Sequence, residues 1–332
     1  LSLASKADPF PNPKVGCVVV KDNKIIGQGY HRKAGKPHAE VYALKDAKKS
    51  VRDATLYVTL EPCFSHGRTP PCVDKIIKEN IKKVVIATKD PNPKTYGKSV
   101  EKLKKAGIEV RVGILEHQAI KLNYKFFSEI KERPFIILKI AMTKDGFIAK
   151  KGSEQISNEI SQNMLHRLRR NVDAIMVGTN TARVDNPQLS SRLDNTFYPR
   201  RVILDNKGVL KNLKCFSLPG KTIVLTSNKD YKNNKAKIIL CKGNNKLDLK
   251  DAFNKLKENN ISSIMVEGGS VLAQSLIKDN LVDEFIFFIS PKTFKTGIAF
   301  YPGINAENLK EKLKLNYFHC HDLSDDVFIR AR

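Results

Sequence analysis

The sequence predicts an α/β protein of two domains. Three observations carry this expectation. Strand and helix patterns alternate through the first half of the chain, the signature of a sheet flanked by helices. The alternation runs into a long helical stretch that stops at Pro134 and then starts again with a new strand. The 332 residues are too many for one ordinary small domain. The boundary is placed so that domain one is 1–132 and domain two is 133–332.

In the first domain "VGCVVVKDNKIIGQGYH" reads as a hairpin turning at "KDNK". "HAEVYALKDAKK" has apolar residues at helical spacing. "ATLYVTL" is a strand, "CVDKIIKEN" a short helix and "IKKVVIATKD" a strand. "YGKSVEKLKKAGIEVRVGIL" gives a helix, a glycine stop and a strand, and "LEHQAIKLNYKFFSEIKER" is read as one long helix. The second domain opens with the strand "PFIILKIAMTKDG", followed by the helix "SNEISQNMLHRLRR" and the buried strand "VDAIMVG". "RRVILD" and "KTIVLTS" are further strands, and "SSIMVEGGSVLAQSLIKDNLVDEFIFFIS" reads strand, Gly-Gly, helix, strand. The Lys/Asn-rich "NKDYKNNKAK" and "CKGNNKLDLK" are surface loops around weak strands. There is no internal repeat.

Composition narrows the class. Hydrophobic content of 41% suffices for packed cores, and 28% charge suits a soluble chain. No run of eighteen apolar residues exists, so no membrane association is expected. The start, "LSLASKADPFPNPKVGC", lacks the pattern of a signal peptide. It also lacks an initiator Met, so residues are expected upstream. Six cysteines without a secretory signal argue against a disulfide framework and for the cytoplasm. The formal charge of +25 permits nucleic-acid binding. Lysine is spread along the whole chain, however, and an anionic small substrate gains from the same field.

The chemistry concentrates in "KPHAEV" and "TLEPCFSHGRTPPCVDKII". His38 and Glu40 bracket one residue at a helix start. Cys63 and Cys72, with eight residues between them, stand at or near a helix N-terminus, which favours the thiolate. One imidazole and two thiolates give zinc three protein ligands and leave the fourth position to water, the arrangement of catalytic zinc. Zinc lowers the pKa of its water to roughly 7, and Glu40 shuttles the proton without touching the metal. H-x-E followed by P-C…C is the pattern of zinc deaminases. A disulfide between the two cysteines would leave His38 and Glu40 unexplained.

Most nucleoside and nucleic-acid deaminases space their cysteines by two residues. The wider gap here, with "PNPKVGC", "HAEV", "TLEPC", "GRTPPC" and "KDPNP", then "LKIAMTKDG", "HRLRRNVDAIMVG", "DNPQL", "RVILD", "VEGG" and "LVDE", resembles the bifunctional riboflavin-biosynthesis deaminase-reductases, in colinear order over essentially the whole chain. The resemblance implies a cytidine-deaminase-like three-layer first domain and a dihydrofolate-reductase-like α/β second domain. It implies removal of an exocyclic amine from a phosphoribosylated diaminopyrimidinone, then NADPH reduction of the ribosyl group to ribityl. It makes His38, Cys63 and Cys72 the zinc ligands and Glu40 the catalytic proton carrier. Asn12 and His31 resemble base contacts, and Arg68 a basic substrate contact. Asp90 and Asn92 are weaker candidates. Two departures stand out. The family's Ser-His after the first cysteine is Phe64-Ser65 here, with His66 one place later, and Gln155 takes the place of a family Trp.

No Rossmann G-x-G-x-x-G is present. "MVEGGS" offers instead a Gly-Gly between strand and helix, where backbone can approach a phosphate at the helix N-terminus. With the resemblance, Gly268, Gly269 and Ser270 are assigned to NADPH, together with Thr181, Asp185 and Ala141. Ser153, Arg169, Leu189, Arg192 and Glu267 fall at substrate positions. Arg169 and Arg192 suit a phosphate because guanidinium binds it as a fork. Lys139 places a charge within an apolar strand, which indicates a cleft. A homo-oligomer acting on a phosphorylated pyrimidine, with no nucleic-acid partner, is expected. The alternatives are a tRNA or nucleic-acid base deaminase with an accessory domain, a non-enzymatic homologue, and a deaminase whose second half is inactive.

Overall fold

Asp22 and Asn23 both adopt positive φ (50° and 56°), the twist a two-residue hairpin turn requires. They join β1 (Gly16–Lys21) to β2 (Lys24–Tyr30). The chain continues through α1 (Ala39–Asp46), β3 (Thr55–Val58), α2 (Cys72–Lys78), β4 (Lys83–Ile86), α3 (Lys98–Lys105), β5 (Glu109–Val112), α4 (Glu116–Leu122) and α5 (Tyr124–Lys131). The strands form one five-stranded sheet in the order β2-β1-β3-β4-β5. β1 is antiparallel to both neighbours, and β3, β4 and β5 are parallel. The computed structural model describes every residue except position 48 and residues 66–69, 151–154 and 193–196. It divides into two units, Leu1–Lys131 and Glu132–Arg332.

The first unit's core runs through Val19, Leu56 and Ile86 in the sheet and Ala43, Ile76 and Leu103 in the helices. One close approach governs its layout. A Cβ on Gly29 would lie 2.5 Å from the Ala43 nitrogen and 2.6 Å from the Ala39 oxygen. One on Gly27 would lie 2.2 Å from the Ala43 oxygen. The backbone of α1 therefore lies directly on β2, and the absence of side chains at these two positions permits it.

The single long helix expected after Leu115 is two helices broken at Asn123. Asn123 is buried, and its side chain bonds the Lys14 backbone in both directions: Oδ1 accepts the Lys14 N–H at 2.8 Å, and Nδ2 donates to the Lys14 oxygen at 3.0 Å. An Asn that finds such a partner interrupts the helix ladder. The interruption anchors the "PNPK" loop that carries Asn12.

The second unit contains β6 (Phe135–Thr143), β7 (Phe147–Ala149), α6 (Glu159–Arg169), β8 (Ala174–Gly178), α7 (Thr179–Asp185), β9 (Arg200–Leu204), β10 (Thr222–Thr226), β11 (Lys237–Leu240), α8 (Leu249–Glu258), β12 (Ser263–Val266), α9 (Ser270–Lys278), β13 (Glu284–Ser290), β14 (Ile298–Ala299), α10 (Leu309–Lys312), β15 (Phe318–Leu323) and β16 (Asp326–Ala331). A nine-stranded sheet runs β11-β10-β9-β8-β12-β6-β13-β16-β15. Its first seven members are parallel, and the terminal hairpin β15–β16 adds antiparallel to β13. Strands β12, β6 and β13 are apolar along most of their length, as strands covered on both faces must be. The chain starts at β6, crosses to β8, works outward to β11 and returns to place β12 between β8 and β6. Such a reversal leaves a crevice at the C-terminal ends of the strands.

Several elements of this unit escape the sequence reading, α8 and the β15–β16 hairpin among them. Helix α8 replaces the expected loop end, started by Asp248, whose carboxylate accepts the Lys250 and Asp251 N–H groups at 2.9 and 3.2 Å. The β15–β16 hairpin was assigned no structure, because "FHCHDL" is exposed along most of its length and shows no clean apolar alternation. All six cysteines are unpaired. No helix among the described residues is long and apolar enough to cross a membrane.

The contact between α1 and β2 makes a prediction. Gly29→Ala forces the helix off the strand and destabilises the chain by about 1–3 kcal/mol, read as a lower urea midpoint of the full chain. An unchanged midpoint would show that the helix can back away freely.

Candidate active sites

In the first unit two helix starts meet. His38 is the N-cap of α1, and Glu40 is the helix's second residue. Cys72 is the first residue of α2, and its N–H donates to the Cys63 sulfur at 3.1 Å. Cys63 is not in a helix. It lies in the loop after β3, and the packing of that loop brings its sulfur to the α2 N-terminus, where the helix dipole favours an anion. The His38 Nδ1 stands 3.5 Å from the Cys63 sulfur and 3.3 Å from the Cys72 sulfur. Among the described residues these three form the one group of three or more His, Cys or acidic side chains whose ligand atoms all lie within 4.8 Å.

The electrostatics favour one thiolate and one thiol at the two cysteines. The Cys63 thiol is pushed down to about 4, first by its hydrogen bond from Cys72. The Cys72 thiol is driven up, because losing its proton would set a second thiolate against the first in a buried place near Glu40. His38 is raised by its bond to Cys63, against the effect of burial. One proton and one imidazole thus hold the two sulfurs together. A tetrahedral zinc bound at about 2.3 Å to sulfur and 2.0 Å to nitrogen needs ligand atoms about 3.5 Å apart, so the donor set fits a metal in place of that proton.

Glu40 is almost wholly buried, and burial pushes its carboxyl up to about 7, partly opposed by His38 and reinforced by Cys63. His31 packs edge-on to His38 with ring centres 5.3 Å apart. Its Nδ1 faces the Pro37 carbonyl at 3.0 Å and must carry the proton, so its Nε2 accepts from the Asn12 amide at 2.9 Å. Burial lowers the His31 pKa and keeps the ring neutral. Five expected residues in addition to Glu40 are thereby brought together: Asn12, His31, His38, Cys63 and Cys72. Arg68 and His66 lie outside the described residues.

Asn92 has a local duty. Its backbone N–H bonds Asp90, and its side-chain oxygen accepts the Lys94 N–H at 3.0 Å, so it shapes the loop. Asp90 is pushed up to about 6, first by burial and then by Glu61 and Cys63. Phe64 packs against the core, with the Lys98 and Lys102 ammonium groups 6.0 and 5.6 Å from its ring centre.

In the second unit a cavity of about 780 Å³ opens at the strand ends of β6, β8, β9 and β12. Ala141, Thr181, Asp185, Gly268, Gly269 and Ser270 all line it, as do Arg169, Leu189 and Glu267. A Cβ on Gly268 would lie 2.9 Å from the Leu272 Cδ2 and 3.1 Å from its Cβ, so a side chain there would press on Leu272. The Gly269 N–H donates to the Thr181 hydroxyl at 3.0 Å, tying the Gly-Gly turn to α7. Arg169 directs its fork at Glu267, with Nε–Oε1 at 2.7 Å and Nη2–Oε2 at 2.6 Å, and its Nη1 donates to the Ser190 oxygen at 2.8 Å. Burial opposes ionisation of Glu267, but Arg169 and Lys139 outweigh it and hold the carboxyl below its usual range. Lys139 also lines the cavity, and burial lowers its pKa.

Three residues singled out in the sequence stand as follows around this cavity. Arg169, expected as a phosphate fork, is engaged by a carboxylate. Arg192 does not line the cavity. It is exposed, with its own backbone in the left-handed region (φ 53°), and its charge adds to burial and to Arg169 in lowering the His166 pKa. Gln155 is exposed and bonds the Ser157 oxygen rather than packing into the cavity. Ser153 lies outside the described residues. Sequence reasoning missed Asn206, Arg183 and Lys246, which line the outer end of the cavity. Asn206 directly follows "RVILD", at the end of a parallel strand, and that position was the available signal.

Comparison with known proteins agrees with both units. Residues 1–88 match the family described as the cytidine and deoxycytidylate deaminase zinc-binding region, and residues 134–328 match the RibD C-terminal domain. The riboflavin biosynthesis protein RibD of Aquifex aeolicus is 44% identical over 99% of this chain and 95% of its own length. That of Escherichia coli is 34% identical over 96% and 92%. The crystal structure of the Thermotoga maritima diaminohydroxyphosphoribosylaminopyrimidine deaminase/5-amino-6-(5-phosphoribosylamino)uracil reductase superposes with a TM-score of 0.61 at 37% identity, covering 100% of this chain and 95% of that one. Acinetobacter baumannii RibD gives 0.55 at 34% identity. A thiolate–imidazole centre followed by a strand-end cavity, matched along nearly the whole chain, places this protein in the RibD family of bifunctional deaminase-reductases of riboflavin biosynthesis.

Proposed function

We propose that residues 1–132 carry the deaminase and 133–332 the reductase, with His38, Cys63 and Cys72 holding zinc and Glu40 moving the proton. The observation that carries this reading is the convergence of two thiols and an imidazole on one point, with a buried carboxyl beside them whose pKa is about 7. Zinc, when bound, supplies a water acidic enough to react near neutrality. Glu40 is poised to take a proton and return it at the same pH, the condition for one group to act as both base and acid. His31 is locked as the neutral tautomer and orients the Asn12 amide, whose oxygen then serves as acceptor for the pyrimidine's amino group. Arg68 is assigned to the substrate phosphate. The net change is water plus a ring C–NH2 giving a ring C=O and ammonia.

In the second unit NADPH supplies the hydride. Gly268, Gly269, Ser270, Thr181, Asp185 and Ala141 are assigned to the cofactor. Ser153, Leu189, Arg192 and Glu267 are assigned to the substrate. Arg169 positions Glu267 for the ribosyl hydroxyls, and Lys139 is placed to hand a proton to the ring oxygen as the ribosyl ring opens. The same reading makes the protein a cytoplasmic homo-oligomer acting on a small phosphorylated pyrimidine rather than on nucleic acid.

The test is a zinc assay with each half-reaction followed separately. About one zinc per chain, NADPH-independent ammonia release, and NADPH oxidation only on the deaminated intermediate are expected. Chelation abolishes ammonia release and spares NADPH oxidation on supplied intermediate. Absence of zinc together with salt-dependent RNA binding would overturn the reading in favour of a nucleic-acid deaminase. Glu40→Gln keeps its zinc and loses ammonia release by about 10²–10⁴-fold; loss of the metal instead would make Glu40 a ligand. Arg169→Lys breaks the fork on Glu267 and lowers kcat/KM for the reduction by about tenfold to a hundredfold, the equivalent of one charge-assisted hydrogen bond. It leaves ammonia release unchanged, and a loss in both assays would refute the assignment.

A further inference from the structure

Two residues before Cys63 lies a buried carboxylate that the proposed chemistry does not use. Glu61 is 3% exposed and follows β3. Its Oε1 accepts the Ser99 N–H at 3.1 Å and the Val100 N–H at 3.4 Å. Its Oε2 accepts the Gly97 N–H at 2.9 Å and the Asp90 N–H at 3.3 Å. Helix α3 has no cap of its own. Its N-cap is Gly97, at φ 74°, and no local side chain bonds its first turn. Glu61 therefore caps α3 from a distant part of the chain, meeting N–H groups that a helix start leaves without partners.

The neighbouring bonds extend this clamp to the metal centre. The Glu61 N–H donates to the Thr88 oxygen at 2.9 Å. The Pro62 carbonyl accepts the Ser99 hydroxyl at 2.7 Å. Beyond Cys63 the chain is held on the other side, where the Cys63 oxygen and sulfur accept the Val73 and Cys72 N–H groups of α2. Cys63 is thus suspended between the starts of two helices, and four of its upstream bonds converge on the Glu61 carboxylate. We propose that Glu61 is a positioning residue that sets the Cys63 sulfur at ligand distance from His38 and Cys72, by gathering the Asp90–Val100 segment beneath the loop. The inference rests on reading that trio as a metal site.

The test compares metal binding in the full-length protein. Zinc affinity is measured by chelator competition, and the coordination by the absorption of the cobalt(II)-substituted protein. Glu61→Gln sets an amide N–H2 against backbone donors while keeping size and burial. It is expected to fold and to bind zinc about tenfold to a hundredfold more weakly, with an altered cobalt–thiolate band. Val51→Ala, a core truncation in the same unit, lowers the melting temperature but keeps wild-type zinc affinity and spectrum, which separates positioning from general loss of stability. Glu61→Gln with wild-type affinity and spectrum overturns the proposal. If that variant does not fold, Ser99→Ala decides, since it removes the tether to Pro62 alone: weaker zinc binding supports the clamp, and unchanged binding overturns it. A wild-type chain that takes up no zinc overturns the metal reading itself, and is told apart because the unsubstituted protein fails as well.

Discussion

Two sulfurs and an imidazole gathered within 4.8 Å of one another are the constraint around which the first unit is organised. Two thiolates cannot be buried side by side without a compensating charge. The fold meets this by aiming the start of α2 at Cys63, by setting His38 against both sulfurs, and by leaving Glu40 near the midpoint of its titration. Close backbone packing and two buried side chains hold these groups in place. Helix α1 lies flat on β2 at two glycines, Asn123 pins the loop carrying Asn12, and Glu61 pins the loop carrying Cys63. A metal centre assembled from three separate segments depends on such supports, because no single element carries more than two of its groups.

The second unit solves a different problem by similar means. Its cavity lies at the parallel strand ends and the helices that follow them, and is lined by apolar and charged side chains together. Arg169 and Lys139 both favour the charge on Glu267, and Glu267 favours the charge on each of them, while burial and Arg169 lower the Lys139 pKa. The Arg169 fork is thereby directed at Glu267, which makes the guanidinium part of the wall that orients the carboxylate. The finding differs from the phosphate role that residue type alone suggests, since a fork matches carboxylate and phosphate equally well.

Most of the centre was legible from residue types and order. His38, Glu40, Cys63 and Cys72 are required in that combination by the chemistry of water activation, and few other purposes need all four. The glycines at 268 and 269 were legible because a strand–Gly-Gly–helix passage lets backbone come close to a ligand. The break at Asn123 was not, because Asn in a helical pattern is tolerated, and only the distant Lys14 backbone makes the break favourable. Helix α8 and the β15–β16 hairpin were hidden by Lys/Asn-rich or exposed sequence with little apolar periodicity.

The sequence by itself determined the two-unit α/β organisation and marked the residues proposed as metal donors, proton carrier and cofactor-facing turn. These follow from residue chemistry and from periodicities of two and 3.6, which are local properties of the chain. The tertiary structure alone decided which groups touch: that His31 is neutral and turned toward Asn12, that Arg169 serves Glu267, that Glu61 caps a helix 36 residues away at the Gly97 N–H, and that Cys63 reaches a helix end it does not belong to. Each of these is a partnership between residues distant in sequence. It is selected by which buried polar groups can satisfy one another once the core has closed, and local patterns carry no record of that choice.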